Sequence, residues 1–335
     1  MRAASLAAAL LLAATPALAD PVGDFYAGKT ISLIVASGEG GYDLYGRLVA
    51  RHLGAHLPGK PTIIVQNMPG AGGLQAVNHL YSVAAQDGTQ IGLVRRGAMV
   101  AKLMEMPGVR YDADKFNWIG NVTSETSVSI AWHTAPVKSL DDLFQHELIV
   151  GGDGPAATHE TLPRLLNGLI GTKFKIVGGY RSSGELFLAM ERGEIEGIAY
   201  ASWEDMRHLK ADQLARGDIV VLNQNGLERL PDLPTVPFTM DYIKAEADKQ
   251  VMRLYAAQDA IPRPILAPPG VAAERVAALR QAFMALGNDN EFAEDAKRAK
   301  LDFALMPGEA VQKIVASVAA TPPALGSRLA KLTSP

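Results

Sequence analysis

The sequence lacks cysteine, so no disulfide can stabilise the protein and folding must depend on the burial of apolar side chains. It also lacks an excess of basic residues, because 32 Lys and Arg residues stand against 35 Asp and Glu residues. The resulting net charge of −3 argues against nucleic acid as a partner. Beyond the first residues, no apolar run approaches the roughly 20 residues that a membrane-spanning helix requires.

The N-terminus has the pattern of a secretory signal. Arg2 precedes an apolar run over residues 3–14, which is followed by Pro16 and then by Ala17-Leu18-Ala19. A basic residue, a short apolar run and an A-x-A site are typical of a cleaved export signal. We therefore expect residues 1–19 to be a signal peptide that is cleaved after Ala19, and the mature protein to be periplasmic.

Apolar runs of strand length alternate with helical patterns along the rest of the chain, which is the order of β and α elements in an α/β protein. Strands are predicted at 30–36, 62–66, 90–94, 147–151, 174–177, 195–200 and 218–222. Their continuous apolar character is typical of parallel strands that are buried on both faces.

The chain of 335 residues is long enough for two domains of ordinary size, about 100 to 200 residues each. We expect a first lobe of residues 20–125 and 253–335, with a second lobe of residues 126–252 inserted into it. The crossings between lobes are predicted near 121–131 and 251–260. Each lobe should be a mainly parallel sheet flanked by helices, with a ligand cleft between the lobes.

Three glycine-rich loops each follow a strand and open a helix, at 37–43, 67–73 and 151–158. The first reads Ser37-Gly38-Glu39-Gly40-Gly41-Tyr42-Asp43. Its glycines let backbone amides approach a ligand, and the positive end of the helix favours an anion such as a carboxylate. The alternative is a tight turn in which Asp43 only caps the helix.

These loops belong to a wider pattern. It comprises the first loop ending in Tyr42-Asp43, Arg47, Asn67 with 69–73, Asp87-Gly88, 137–143 and 233–236. In this combination and order the chain resembles the receptor component of tripartite tricarboxylate transporters, the Bug or TctC-like family. The resemblance implies a type II periplasmic binding protein fold without catalytic activity, cofactor or metal. It also implies a monomer that closes over a small organic carboxylate and delivers it to a two-subunit membrane permease.

The resemblance and the loops together give a set of predicted ligand-contacting residues. In the first lobe they are Ser37, Gly38, Gly40, Gly41, Tyr42, Asp43, Gly72 and Arg96, and in the second Thr158, Tyr180, Arg181, Ser182 and Trp203. Tyr42, Tyr180, Tyr200 and Trp203 fall in or beside the predicted cleft loops, and together with the candidate arginines Arg95 and Arg96 they favour an aromatic acid or a dicarboxylate. Glu39 departs from an anion-binding loop, and it either faces solvent, pairs with Arg96 or selects a ligand with an amine.

Other classes of protein are less well supported by the sequence. The segment 152–157 fits G-x-G-x-x-A between a strand and a helix, which alone is a weak sign of a nucleotide-dependent oxidoreductase. His159-Glu160 begins like a metalloprotease helix, but Pro163 stands where the second histidine belongs. A receptor that passes its ligand to a signalling partner instead of a permease stays open as an alternative.

Overall fold

The computed structural model describes residues 20–334, so the predicted signal peptide lies outside the described residues. Two β-sheets, one of six and one of five strands, are each flanked by helices. The predicted two-lobed α/β architecture is confirmed. In the described part of the chain, no helix is both long enough and apolar enough to span a membrane.

The elements follow the alternating order expected from the sequence. The strands are β1 Thr30–Val35, β2 Thr62–Asn67, β3 Gln90–Leu93, β4 Asn117–Asn121, β5 Ser127–Trp132, β6 Leu148–Gly151, β7 Phe174–Val177, β8 Gly197–Ser202, β9 Ile219–Gln224, β10 Pro264–Ala267 and β11 Met306–Pro307. The helices are α1 Pro21–Tyr26, α2 Gly41–His56, α3 Leu74–Ser82, α4 Leu140–Gln145, α5 Thr158–Ile170, α6 Ser183–Glu191, α7 Trp203–Leu209, α8 Ala211–Arg216, α9 Thr239–Tyr242, α10 Glu246–Ala256, α11 Ala273–Ala285, α12 Asn290–Arg298, α13 Gly308–Ala319 and α14 Pro323–Thr333.

The first sheet has the strand order β2-β1-β3-β10-β4-β11. Its β2, β1 and β3 strands are parallel, and Leu33 at the centre of β1 pairs with Val65 on one side and Ile91 on the other. The strands β10, β4 and β11 pair in antiparallel fashion. The sheet is therefore mixed, with its parallel part built from the βα units that the apolar runs predict.

The second sheet has the order β7-β6-β8-β5-β9 and is also mixed. Val150 of β6 pairs in parallel with Ile176 and Gly197, whereas Ile130 of β5 pairs antiparallel with Ile198 and Val221. Every residue of β8 is buried, as expected for a central strand that is covered by helices on both faces.

Two segments join the sheets. The chain leaves the first sheet after β4 and enters the second at β5, and it returns between β9 and β10. The return path carries α10, and α14 then packs against both α5 and α10. One apolar cluster therefore runs without interruption from Leu74 through Leu165 and Tyr255 to Leu329. This continuous core positions the two sheets with the carboxyl ends of β1, β3, β6 and β8 around one cavity.

Candidate functional site

A cavity of about 190 Å³ lies where the loops of the two sheets meet. This is far more than the roughly 10–15 Å³ that one buried water needs. The lining residues from the first-sheet side include Ser37, Gly40, Gly41, Tyr42, Leu44, Arg95, Arg96 and Arg263, and those from the second-sheet side include Thr158, His159, Ser183, Gly184, Phe187, Leu188, Tyr200, Asp205, Met206 and Leu209. Both sheets thus contribute to a single cavity.

Three helices begin at this cavity. The helix α2 starts at Gly41, α5 at Thr158 and α6 at Ser183, and all three of these residues line the space. Neither α2 nor α5 has a side-chain cap at its N-terminus, so their first amide N–H groups lack that internal acceptor. Converging helix N-termini concentrate partial positive charge and free donors, which together favour a bound anion.

The first loop passes very close to the second lobe at Gly40. Its φ of 139° is one that residues with a side chain rarely adopt, and a Cβ there would lie 2.7 Å from Oγ of Ser183. Only glycine fits both the backbone conformation and the approach to α6. The glycines of this loop therefore bring the start of α2 against the start of α6.

Arg95 joins the lobes on one side of the cavity. Its guanidinium lies 2.5 Å from the carboxylate of Asp153 and also donates to the carbonyl of Ala36 and the hydroxyl of Ser37. Nδ1 of His159 lies 2.8 Å from the second oxygen of Asp153. Although burial alone would raise the pKa of Asp153, the adjacent guanidinium of Arg95 and the hydrogen bond with His159 lower it below its ordinary value.

Arg96 connects the two segments that cross between the sheets. It pairs with Glu125, which lies between β4 and β5, and its Nη1 is 3.3 Å from Asp259, which lies just before β10. The same guanidinium donates to the hydroxyl of Tyr200, which donates in turn to Asp259 over 2.6 Å. The acidic partners of Arg96 are therefore Glu125 and Asp259 rather than Glu39.

Arg263 is the third cavity-lining arginine. Its Nη2 lies 2.7 Å from Glu125 and 2.9 Å from Asp205 of α7, so it ties the first sheet to the second. The guanidinium stacks 4.3 Å from the ring centroid of Tyr42, whose hydroxyl donates to the carbonyl of Pro262. Nε of Arg263 is buried and finds no acceptor among the described residues.

The floor of the cavity consists of three arginines, Arg95, Arg96 and Arg263, and the four carboxylates that pair with them. Each of the three arginines has at least one carboxylate partner, and the partners together are Glu125, Asp153, Asp205 and Asp259. Burial raises the pKa of Asp205 to about 6, despite the opposing effect of Arg263. Burial likewise raises the pKa of Asp259 to about 6, against Arg96. The floor is thus an ion-pair network rather than a set of free cations.

The mouth of the cavity differs from the floor. Leu44, Leu188 and Leu209 line the cavity and are also 38%, 50% and 39% exposed, so they mark its opening to solvent. Phe187 and Met206 extend the apolar lining inward. The ammonium group of Lys210 lies over the ring of Phe187 and is bonded to Glu191 over 3.0 Å.

The structure brings part of the predicted set to the cavity and places the rest around it. The predicted residues that line the space are Ser37, Gly40, Gly41, Tyr42, Arg96 and Thr158. Two predicted glycines instead form contacts between the lobes. The amide of Gly38 donates to the carbonyl of Arg181, and a Cβ on Gly72, whose φ is +69°, would lie 2.4 Å from the amide nitrogen of Ala157.

The remaining predicted residues have local partners outside the cavity lining. Asp43 accepts from Asn67 and from Arg47 within its own lobe, both over 2.8 Å. The hydroxyl of Ser182 accepts from the amide of Glu185 and so caps α6. The indole of Trp203 points to Asp232. The ring of Tyr180 packs against the apolar cluster of the second sheet.

Several lining residues escaped the sequence analysis. Glu125, Asp205 and Arg263 come from three segments that are far apart in sequence, and none of them sits in a motif. The sequence singles out Arg95 only as the neighbour of Arg96. His159 was considered as a start of a metal site, but within the described residues no group of acidic and histidine side chains could hold a metal ion.

His159 and Asp153 also have the arrangement of a base and its orienting acid. A nucleophile for hydrolysis would need a hydroxyl bonded to the other ring nitrogen. Among the described residues, no such hydrogen bond to Nε2 of His159 occurs; the imidazole packs edge to face with the ring of Tyr200, and the two ring centroids are 6.2 Å apart. The pair therefore orients an imidazole at the cavity wall.

Comparison with known proteins locates the fold. No family model matches the chain, and no curated protein matches it either. Solved structures do. A TctC solute binding protein from Polaromonas without ligand has 21% identity and a TM-score of 0.60, over 92% of this chain and 98% of that one. The periplasmic binding protein BugD has 18% identity and a TM-score of 0.68, over 92% and 98%. MatC from Rhodopseudomonas palustris with bound malate has 18% identity and a TM-score of 0.68, over 91% and 99%.

These likenesses are to proteins of one kind, and they cover nearly the whole of this chain and of theirs. At such identities the similarity establishes the fold, which is that of the TctC and Bug solute-binding proteins. The resemblance read from the loop motifs is thereby supported at the level of the fold.

Proposed function

We propose that this protein is an exported receptor of the Bug or TctC-like family that binds a small organic carboxylate between its lobes. The observation that carries the proposal is the convergence of the N-termini of α2, α5 and α6 on one interlobe cavity. Helix N-termini from both lobes can hold one anion only when the lobes are closed, so binding and closure are coupled. The malate bound to MatC is consistent with this ligand class.

We further propose that the mature chain begins at Asp20, acts in the periplasm as a monomer and delivers its ligand to a two-subunit membrane permease. The export pattern over residues 1–19 supports the location. The fold it shares with TctC and BugD supports the transport role.

The contacts that the site offers are compatible with micromolar binding of a carboxylate. Micromolar affinity corresponds to about −8 kcal/mol, and each charge-assisted hydrogen bond contributes about 1.5 to 3 kcal/mol. A carboxylate that accepts three or four amide hydrogen bonds approaches this value only before the loss of rotational and translational freedom is subtracted. The apolar wall formed by Phe187, Met206 and the leucines of the mouth must therefore supply the difference.

The substitution Ser183→Asp tests the anion site directly. It places a carboxylate at the first position of α6, where a negative charge stabilises a helix, so folding should be preserved. In the cavity the new charge would repel a ligand carboxylate by about 3 kcal/mol at roughly 5 Å and an effective dielectric constant of about 20. We expect a loss of affinity of about 100-fold, measured by calorimetric titration of the chain from Asp20 with a panel of mono-, di- and tricarboxylates.

Ser317→Asp is the matched control, because Ser317 lies on the exposed surface of α13, away from the cavity. This variant should bind like the wild type. Equal affinity of the wild type and Ser183→Asp for every carboxylate that binds would contradict the proposed site, and binding of nucleotides alone would contradict the receptor function.

A further inference from the structure

The mouth of the cavity gathers exposed apolar side chains from three helices. Leu44 belongs to α2, Leu188 to α6 and Leu209 to the end of α7. Large apolar side chains that are this exposed are few in the described part of the chain, namely Leu44, Ile64, Val83, Val177, Leu188, Leu209 and Leu227. Three of these seven side chains lie at one opening, and burial of such a cluster against a ligand would be favourable. The cluster therefore indicates a binding surface.

This apolar mouth is continuous with the anion site. Phe187 and Leu188 lie one helical turn after Ser183 and Gly184 on α6, and all four residues line the same cavity. On α2, Leu44 likewise follows Gly41 by three residues, and both line the cavity. A molecule with its head at the helix N-termini therefore meets apolar side chains along its path to solvent.

Among the described residues, the cations of the cavity lining all have carboxylate partners. Arg95, Arg96 and Arg263 are paired with buried or partly buried acids, and Lys210 at the mouth is bonded to Glu191. Among the buried nitrogen atoms of these side chains, only Nε of Arg263 has no acceptor. A second carboxylate on the ligand would compete with these acids for the guanidinium groups, and an acid that it displaced would be left buried without a partner. A second anionic group is therefore disfavoured at the floor, whereas an apolar group is favoured at the mouth.

We infer that the ligand is an amphipathic monocarboxylate, with its carboxylate at the N-termini of α2 and α6 and its apolar tail between Leu44, Leu188 and Leu209. This rests on the proposed function and narrows its ligand class. The tail is the occupant of the apolar mouth, because the mouth opens from the anion site and both lobes contribute to its wall.

A chain-length series tests the inference. The chain from Asp20 is titrated by calorimetry with the linear monocarboxylates from butyrate to decanoate, each below its micelle concentration, and with the dicarboxylates of equal length. Burial of each added CH₂ should lower the Kd about three- to fourfold until the tail reaches solvent. The dicarboxylate of the same length should bind at least about tenfold more weakly, because its second charge is placed in the apolar mouth.

Leu188→Ser should reduce this dependence on chain length, raising the Kd for decanoate about tenfold and the Kd for butyrate much less. Leu227→Ser is the matched control. Leu227 is also exposed, at 52%, but it lies outside the cavity lining, so this variant should keep the wild-type series.

The outcomes separate the two proposals. If dicarboxylates bind more tightly than monocarboxylates of equal length, or if decanoate binds no better than butyrate, the inference is wrong while the carboxylate receptor stands. An equal loss in the Leu188 and Leu227 variants would also overturn it. If no carboxylate of either series binds, the proposed function itself fails.

Discussion

The floor and the mouth of the cavity differ in chemistry, because the floor consists of buried ion pairs and the mouth of exposed apolar side chains. At the floor, three buried arginines and four carboxylates form a network that ties both sheets and both crossing segments together. At the mouth, Leu44, Leu188 and Leu209 remain exposed on three different helices. The comparison indicates that the charged residues hold the two lobes together by pairing with one another. The helix N-termini and the apolar wall are the parts of the cavity that are available to contact a ligand.

The largest effect is expected from breaking the floor. Arg263→Met removes the partner shared by Glu125 and Asp205, so that Asp205 loses its ion-pair partner and Glu125 keeps only Arg96. Loss of one member of a buried pair typically costs about 3 to 5 kcal/mol of unfolding free energy. Urea denaturation followed by circular dichroism measures this loss.

Arg253→Met is the control for that experiment. Arg253 pairs with Glu246, and both side chains are more than half exposed, at 51% and 64%. An exposed pair contributes about 0 to 1 kcal/mol. Similar losses in the two variants would show that the floor network is no more important for stability than a surface ion pair.

A smaller effect is expected from the pH dependence of the floor. Burial raises the pKa of Asp205 from 3.8 to about 6, so the folded protein holds this proton more tightly than the unfolded chain. The free energy of unfolding should then fall as the pH rises from about 4 to about 6, by up to about 3 kcal/mol for a shift of this size. Asp205→Asn should remove that part of the decline, measured as melting temperature against pH.

Asp241→Asn is the control for the pH profile, because Asp241 forms an exposed pair with Arg229. It should leave the profile between pH 4 and 6 as in the wild type. If Asp205→Asn also left the pH profile unchanged, the pKa of Asp205 would not be raised by burial, and this part of the account would be wrong.

Local sequence patterns predicted the parallel strands and the first loop better than the rest. The apolar run from Thr30 and the glycines before Tyr42 are signals contained in one short segment, and the structure brings that loop to the cavity wall. The strands β5 and β10 gave weaker signals, since β5 carries polar residues such as Ser127 and Ser129 and β10 is only four residues long.

The ion-pair network could not be predicted from local patterns. Glu125 meets Arg96 and Arg263 only because the ends of β3 and β4 lie beside the start of β10. That arrangement depends on antiparallel pairing of strands far apart in sequence. Asp43 shows the reverse case. It stands in the predicted anion loop, but its carboxylate is occupied by Asn67 and Arg47 within the same lobe.

The most direct test of the account is a crystal structure of the chain from Asp20 with octanoate. We predict a carboxylate that accepts hydrogen bonds from the first amides of α2 and α6, a tail that contacts Leu44, Leu188 and Leu209, and intact pairs from Arg95, Arg96 and Arg263 to their acids. A carboxylate bound instead to one of these guanidinium groups, with Asp153, Glu125 or Asp205 displaced, would contradict the account.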